Sequence, residues 1–163
     1  MFSLFLIFGA KYLIFVLILI AVASFFLAPK AARKKIALFG ALLLPLSYIF
    51  AKIAGRLYFH PRPFVLNHFT PFIPHAADNG FPSDHTLLAA AISLAVFSYN
   101  KKLGIALGVL TIGVGASRVL AGVHAWIDIL GSIVIALVAC VIVQAILQKR
   151  THLKKINAKK DAC

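Results

Sequence analysis

Acidic residues are nearly absent from this chain, which carries four Asp and Glu against 17 Lys and Arg among 163 residues. Charge of either sign reaches only 13%, whereas hydrophobic residues reach 62%. Soluble domains carry about 25% charged residues, so this composition excludes a domain that faces water all round. The bilayer has to be the solvent. Cysteine is equally scarce. Cys140 lies inside an apolar run and Cys163 at the end of the chain, and two residues at such different depths exclude a disulfide framework or a thiolate metal site. The few acids are dispersed and no pair of them shares a helical face. Neither a metal nor any other cofactor is expected. Internal repeats and low-complexity tracts are also lacking.

What the chain has in quantity is long apolar runs punctuated by cations. A net charge of +13 would suit a nucleic-acid binder if the cations lined one face or groove. They stand instead at the ends of apolar runs, as Lys30, Arg33, Lys34 and Lys35, then Lys101 and Lys102, then Lys149, Arg150, Lys154, Lys155, Lys159 and Lys160. That is the distribution of cytoplasmic loops under the positive-inside rule, and no nucleic-acid partner is expected. The N-terminal run lacks a basic leader, outruns the apolar stretch of a signal peptide and leads into a Lys/Arg cluster, so it reads as a retained helix. A spanning helix takes roughly 20 apolar residues. Five runs qualify or nearly so, at about 2–27, 36–57, 83–99, 103–119 and 127–147. The expected fold is an all-α integral membrane protein, a bundle of about five transmembrane helices. Residues 1–147 would form the embedded domain and 148–163 a basic cytoplasmic tail. With the cations inside, the N-terminus and the connections 58–82 and 120–126 fall outside.

That topology sorts the polar residues. Asp78, Asp84, Asp128, Arg62, Arg118, His60, His68, His75, His85 and His124 all fall in or beside the outer connections. Chemistry is therefore expected on the outer face. The longer connection holds Pro61, Pro63, Pro71, Pro74 and Pro82 and reads as an ordered loop, neither helix nor strand. Pro82-Ser83-Asp84-His85 opens the third run. Ser83 is a natural N-cap there, and the first-turn N–H groups with the helix dipole suit an anion. Ser117-Arg118 is followed by His124 and Asp128, whose spacing of four stacks them on one face if their helix starts near Val123. A carboxylate on one imidazole nitrogen fixes the tautomer and leaves the other nitrogen free as a nucleophile. Arg62, set between two prolines, offers a planar fork matched to phosphoryl oxygens. Together these supply phosphoryl transfer: Arg62, Arg118 and the Ser83 turn neutralise charge, His124 attacks, and His85 protonates the leaving oxygen. Outside this set, Gly104 and Gly108 are expected to pack two helices closely, and His68 and His75 to be ordinary loop residues.

The order Arg-Pro, Pro-Ser-x-His and Ser-Arg-x5-His-x3-Asp resembles the three-part signature of the type 2 phosphatidic acid phosphatase superfamily. That superfamily includes vanadium haloperoxidases and glucose-6-phosphatase, and the likeness runs over about residues 36–147. The finer text, Tyr58-Phe-His-Pro-Arg-Pro-Phe-Val65, Ile73-Pro-His-Ala-Ala-Asp78 and Phe81-Pro-Ser-Asp-His-Thr86, resembles its bacitracin-resistance type of undecaprenyl-pyrophosphate phosphatase. The resemblance implies hydrolysis of a C55 isoprenoid lipid pyrophosphate on the outer face of the bacterial cytoplasmic membrane, returning the carrier lipid to cell-wall synthesis. It implies His124 as the nucleophile that becomes a phosphohistidine, Asp128 as its orienting partner and His85 as general acid. Arg62, Ser83, Asp84 (through its backbone N–H) and Arg118 would be the phosphate ligands.

Three features depart from the superfamily pattern. The lysine usual seven residues before the first arginine is Gly55, with Lys11, Lys52 or Arg56 open as replacements. The glycine usual before the first histidine is Asp84, which the bacitracin-resistance branch shares. Five spans stand where six are common. The same chemistry on phosphatidylglycerophosphate, phosphatidate or the 1-phosphate of lipid A is the alternative function, and a non-catalytic lipid carrier or channel is the third. Because the tail reads as an anchor to anionic head groups, removal of Thr151–Cys163 is expected to leave turnover intact. Phosphate release by the truncated protein measures this.

Overall fold

In hydrocarbon a chain must satisfy its backbone groups internally, so each long apolar run becomes a helix. The computed structural model describes residues 2–160, with side chains placed from 4 to 152. Its elements are α1 (Phe2–Leu27), α2 (Lys30–Leu57), α3 (Pro63–Leu66), α4 (Asp84–Phe97), α5 (Lys101–Leu120) and α6 (Trp126–Lys160). Four segments, Leu4–Leu27, Lys30–Leu57, Lys101–Leu120 and Trp126–His152, are long and apolar enough to cross a membrane. The remaining run is shorter than expected. α4 has 14 residues, about 21 Å at 1.5 Å per residue, against a hydrocarbon thickness of about 30 Å.

The short helix is possible because it is the centre of the bundle, in contact with α1, α2, α5 and α6. Its small residues let all four neighbours approach. Leu87, Ala90, Ala91 and Ala95 pack with Phe39, Leu43 and Ala51 of α2 and with Ala136, Ala139 and Val143 of α6. On another side Ala89 and Val96 meet Leu17 of α1 and Leu107 of α5. The outward faces are apolar too: Phe5, Phe15, Leu19, Ile105, Val109, Ile112, Val134 and Val141 are all exposed. Such a surface suits lipid rather than water.

Several boundaries differ from the expected ones. α2 starts at Lys30 rather than residue 36 because Pro29 punctuates the chain there and the cations wind into the first turns. Arg33 then donates from Nε to the carbonyl of Ala28 at 2.8 Å, meeting an acceptor beyond the end of α1. The long connection is not wholly irregular. Pro63 opens the single turn α3, since a proline at the first helical position lacks only an N–H that would be unpaired anyway. α6 continues without a break through residue 147 to Lys160, so the tail expected from 148 begins inside a helix. Residues 161–163, Cys163 among them, lie outside the described residues.

Gly104 and Gly108 behave differently from each other. Phe97 backbone lies against Gly104, where a Cβ would overlap it, whereas nothing lies within 4 Å of a Cβ at Gly108. Gly104 packs because the connection of residues 98–100 is tight. One turn later the helices have diverged, and Gly108 fronts an open apolar groove with Leu94, Val109 and Leu137. Gly104→Ala is therefore expected to cost about 1–3 kcal/mol by overpacking, while Gly108→Ala is neutral or stabilising by up to about 1 kcal/mol. Unfolding of the two variants in detergent checks the contrast.

Candidate active site

One end of the bundle gathers the C-terminal ends of α2 and α5, the N-terminal ends of α4 and α6, and the 58–82 connection. The basic clusters at Lys30–Lys35, Lys101 and Lys102, and Lys149 and Arg150 lie toward the opposite ends of the same helices. Between the helix ends opens a cavity of about 400 Å³, lined among others by Arg62, Asp84, His85, Arg118 and His124.

The site is organised on Asp128, which is fully buried. His124 and Asp128 do pair, but α6 begins at Trp126 rather than near Val123. Asp128 instead folds back across the helix start and accepts from the backbone N–H of Ala125 at 2.8 Å, in the manner of a capping box. That places Oδ2 3.3 Å from Nδ1 of His124. Oδ1 takes a second histidine, with Nδ1 of His60 at 2.9 Å. Both nitrogens donate, because an ionised carboxylate only accepts.

Arg62 faces the other side of His124. Its Nη1 donates to the carbonyl of Val123 at 2.8 Å and lies 3.3 Å from Nε2 of His124. A guanidinium can only donate, so Nε2 is the acceptor and Nδ1 carries the proton. The lone pair thus sits on the nitrogen that faces the cavity. Burial lowers the pKa of His124 most, the Asp128 bond opposes this, and Arg118 and Arg62 lower it further. The net result keeps the imidazole neutral. Arg62 is itself held by Asp78, Nε to Oδ1 at 2.7 Å. Burial raises the pKa of Asp78, but the bond and charge of Arg62 outweigh it, so this carboxyl stays ionised.

Arg118 comes from the last turn of α5 and is buried. Its Nη1 donates to the carbonyl of Ala10 at 3.2 Å, while its buried Nε has no partner among the described residues. Ser83 precedes α4 but does not cap it with its side chain. It is fully buried, and its Oγ accepts from the Thr86 hydroxyl at 3.2 Å. Its backbone is clamped to α6: its N–H donates to the Asp128 carbonyl at 3.3 Å, and Ser132 Oγ lies 3.0 Å from its carbonyl. Ser83 thus supports the wall while Pro82, Asp84 and His85 line the cavity. The Leu87 N–H donates to the Ser83 carbonyl at 2.9 Å as the first rung of α4, so the N–H groups of Asp84, His85 and Thr86 precede the ladder.

Three contributors were not anticipated as site residues. His60 is the second arm on Asp128. His75 lines the cavity with its ring 6.0 Å from that of His124, and burial, then Arg62 and Arg118, lower its pKa. It is therefore not an ordinary loop residue, unlike exposed His68. Asn79 is the third. Its Oδ1 accepts from the N–H groups of His60 at 2.9 Å and Phe81 at 3.0 Å, and its Nδ2 donates to the carbonyl of Gly55 at 2.8 Å. The Asn79-Gly80 dipeptide is a turn signal that could have marked it. Gly80 eases the close passage, because a Cβ there would stand 3.1 Å from Asp128 Oδ2 and 3.1 Å from the His60 carbonyl.

The PAP2 superfamily matches residues 34–152, which span this whole arrangement. The chain belongs to the PAP2 superfamily. Among its curated relatives within that superfamily, undecaprenyl-diphosphatase BcrC of Bacillus subtilis (strain 168) is 48% identical over 82 residues, covering 50% of this chain and 42% of that one. The chain thus matches less than half the length of that relative. YbjG of Escherichia coli (strain K12), provisionally named an undecaprenyl-diphosphatase, is 36% identical over 147 residues, covering 90% of this chain and 74% of that one. Among solved structures, the first transmembrane PAP2 type phosphatidylglycerolphosphate phosphatase from Bacillus subtilis aligns with a TM-score of 0.60 at 27% identity, over 88% of this chain and 73% of that one.

Asp128 holds the tautomer of His124 without touching the cavity. Asp128→Asn is expected to lower kcat by about 10³-fold through loss of that tautomer, with folding retained. Turnover alongside thermal unfolding measures both.

Proposed function

We propose that this PAP2-superfamily protein is a lipid phosphatase that converts undecaprenyl pyrophosphate to undecaprenyl phosphate and inorganic phosphate. The observation that carries this reading is the convergence of Arg62, His85, Arg118 and His124 on one cavity, with the lone pair of His124 directed at Arg62. A substrate phosphate takes the place between them. The terminal phosphoryl oxygens accept from Arg62, Arg118 and the first-turn N–H groups of Asp84 and His85. His124 Nε2 attacks the terminal phosphorus, and the bond from that phosphorus to the bridging oxygen breaks. His85 gives its proton to the departing oxygen, and Asp128 stabilises the cation formed on His124. Water then attacks the phosphohistidine, His85 takes a proton from it, and inorganic phosphate leaves with His124 restored.

The same reading gives the topology. Five helices cross the bacterial cytoplasmic membrane, with short α4 sheltered by its neighbours. The cavity faces outside, because the cations gather at the opposite helix ends. Residues 1–147 carry the chemistry and 148–163 form the basic tail. The similarity to undecaprenyl-diphosphatase BcrC supports the isoprenoid substrate. Hydrolysis of another phospholipid is the second reading, favoured by the likeness to a phosphatidylglycerolphosphate phosphatase.

Phosphate release by detergent-purified protein in EDTA decides between them. The wild type is expected to act on undecaprenyl pyrophosphate faster than on phosphatidylglycerophosphate, and His124→Ala to lose about 10⁴-fold or more of kcat. Preference for the phospholipid would overturn the isoprenoid reading. An active His124→Ala would overturn the phosphohistidine.

A further inference from the structure

Two cations of the cavity have no part in the chemistry above. Lys52 and Arg56 line it together with the catalytic set, four residues apart and so on one face of α2. Both are exposed at its mouth, and neither forms an ion pair among the described residues. The carboxylates that face them are Asp84 and Asp78, and Asp78 is already held by Arg62 at 2.7 Å.

Between them stands Gly55, where the superfamily pattern would place a lysine. A Cβ there would lie 3.0 Å from the Phe81 carbonyl oxygen and 3.4 Å from Pro82 Cδ. Asn79 anchors the loop at this point through the Gly55 carbonyl, 2.8 Å away. The loop that builds the site therefore crowds position 55, so that a side chain there would press on the Phe81 carbonyl. Positive charge on α2 reaches the cavity only from either side of the loop, at Lys52 and Arg56.

A second, apolar cavity offers a direction for the lipid. Asp84, besides lining the catalytic cavity, lines a second cavity of about 260 Å³ in the cleft between α2 and α4, with Leu44, Tyr48, Leu87 and Ala91. The Lys52 ammonium lies 4.9 Å from the centre of the Tyr48 ring. Lys52 thus marks the junction between the polar cavity and an apolar one. A lipid pyrophosphate reacting at His124 places its second phosphate on the side from which its chain departs. Arg62 and Arg118 suit one phosphoryl group, which leaves Lys52 and Arg56 for the other.

We infer that Lys52 and Arg56 bind the lipid-side phosphate of the substrate, so that the site selects diphosphates over monophosphates. The inference rests on the lipid pyrophosphate reading above. In the reaction these cations also stabilise the charge that grows on the leaving phosphate as the bridging bond breaks.

The test is steady-state kinetics on an isoprenoid diphosphate, with inorganic pyrophosphate and orthophosphate as competing ligands. The variants are Lys52→Ala, Arg56→Ala, their double, and the charge-preserving Lys52→Arg and Arg56→Lys. In the double variant KM and the inhibition constant of pyrophosphate are expected to rise about tenfold or more, the effect of losing charge-assisted contacts. The inhibition constant of orthophosphate should move by less than about threefold, and the charge-preserving variants should stay near wild type. Equal shifts for both inhibitors, no shift, or the same loss in the charge-preserving variants would overturn the inference. If the wild type hydrolyses only a phospholipid monophosphate, the substrate reading fails. The comparison of the two inhibitors on that lipid then still decides whether Lys52 and Arg56 hold a second phosphate.

Discussion

A buried carboxylate is the constraint on which this structure depends. Asp128 is fully buried in a bundle made mostly of hydrocarbon, and an uncompensated charge there would be prohibitively costly. Its partners come from two pieces of the chain, the residues just before its own helix and the long connection. Ala125 N–H ties it to the start of its own helix. His124 ties it to the cavity. His60 ties it to the long connection, 68 residues away in sequence. Satisfying one charge therefore fixes the pitch of α6, the ring of the proposed nucleophile and the path of the loop.

The loop is held in turn by backbone contacts that leave its cations free to face inward. Asn79 joins both ends of the connection to the last turn of α2 through the carbonyl of Gly55, and Gly80 permits the close passage beside Asp128. Arg62 emerges from this frame with three further anchors, at Asp78, Val123 and Asn79. An arginine held at that many points is positioned before any phosphate arrives, which is the condition for strong electrostatic stabilisation. Arg118 differs, with its Nε unpaired and only the Ala10 carbonyl as partner among the described residues. It retains donor capacity for an anion in the cavity.

The division between helices and loop also explains why some parts were legible in advance. The long helices were visible because hydrocarbon leaves an apolar run of that length almost no other conformation. The Arg62, Ser83, Asp84, His85, Arg118, His124 and Asp128 set was visible because each short motif carries a recognisable chemistry at fixed spacing. Arg62, Asp84, His85, Arg118 and His124 line one cavity, while Ser83 and Asp128 sit behind its wall. His60, His75 and Asn79 were not picked out, since their importance comes from partners remote in the chain. Gly108 was over-read for a related reason: a four-residue spacing of small residues marks where a helix could approach, not how far two helices stay together.

Composition and patterning by themselves determined that the protein is helical and lipid-facing, and which short motifs could handle a phosphate. They did so because periodic burial and local chemistry are written within a few residues of each other. Tertiary structure alone decided which histidine nitrogen carries the lone pair, what balances Asp128, what crowds position 55, and that Lys52 and Arg56, not exposed Lys11, face the cavity. Each of those depends on backbone and side chains from separate helices brought within a few ångströms, a relation that spacing along one chain does not encode.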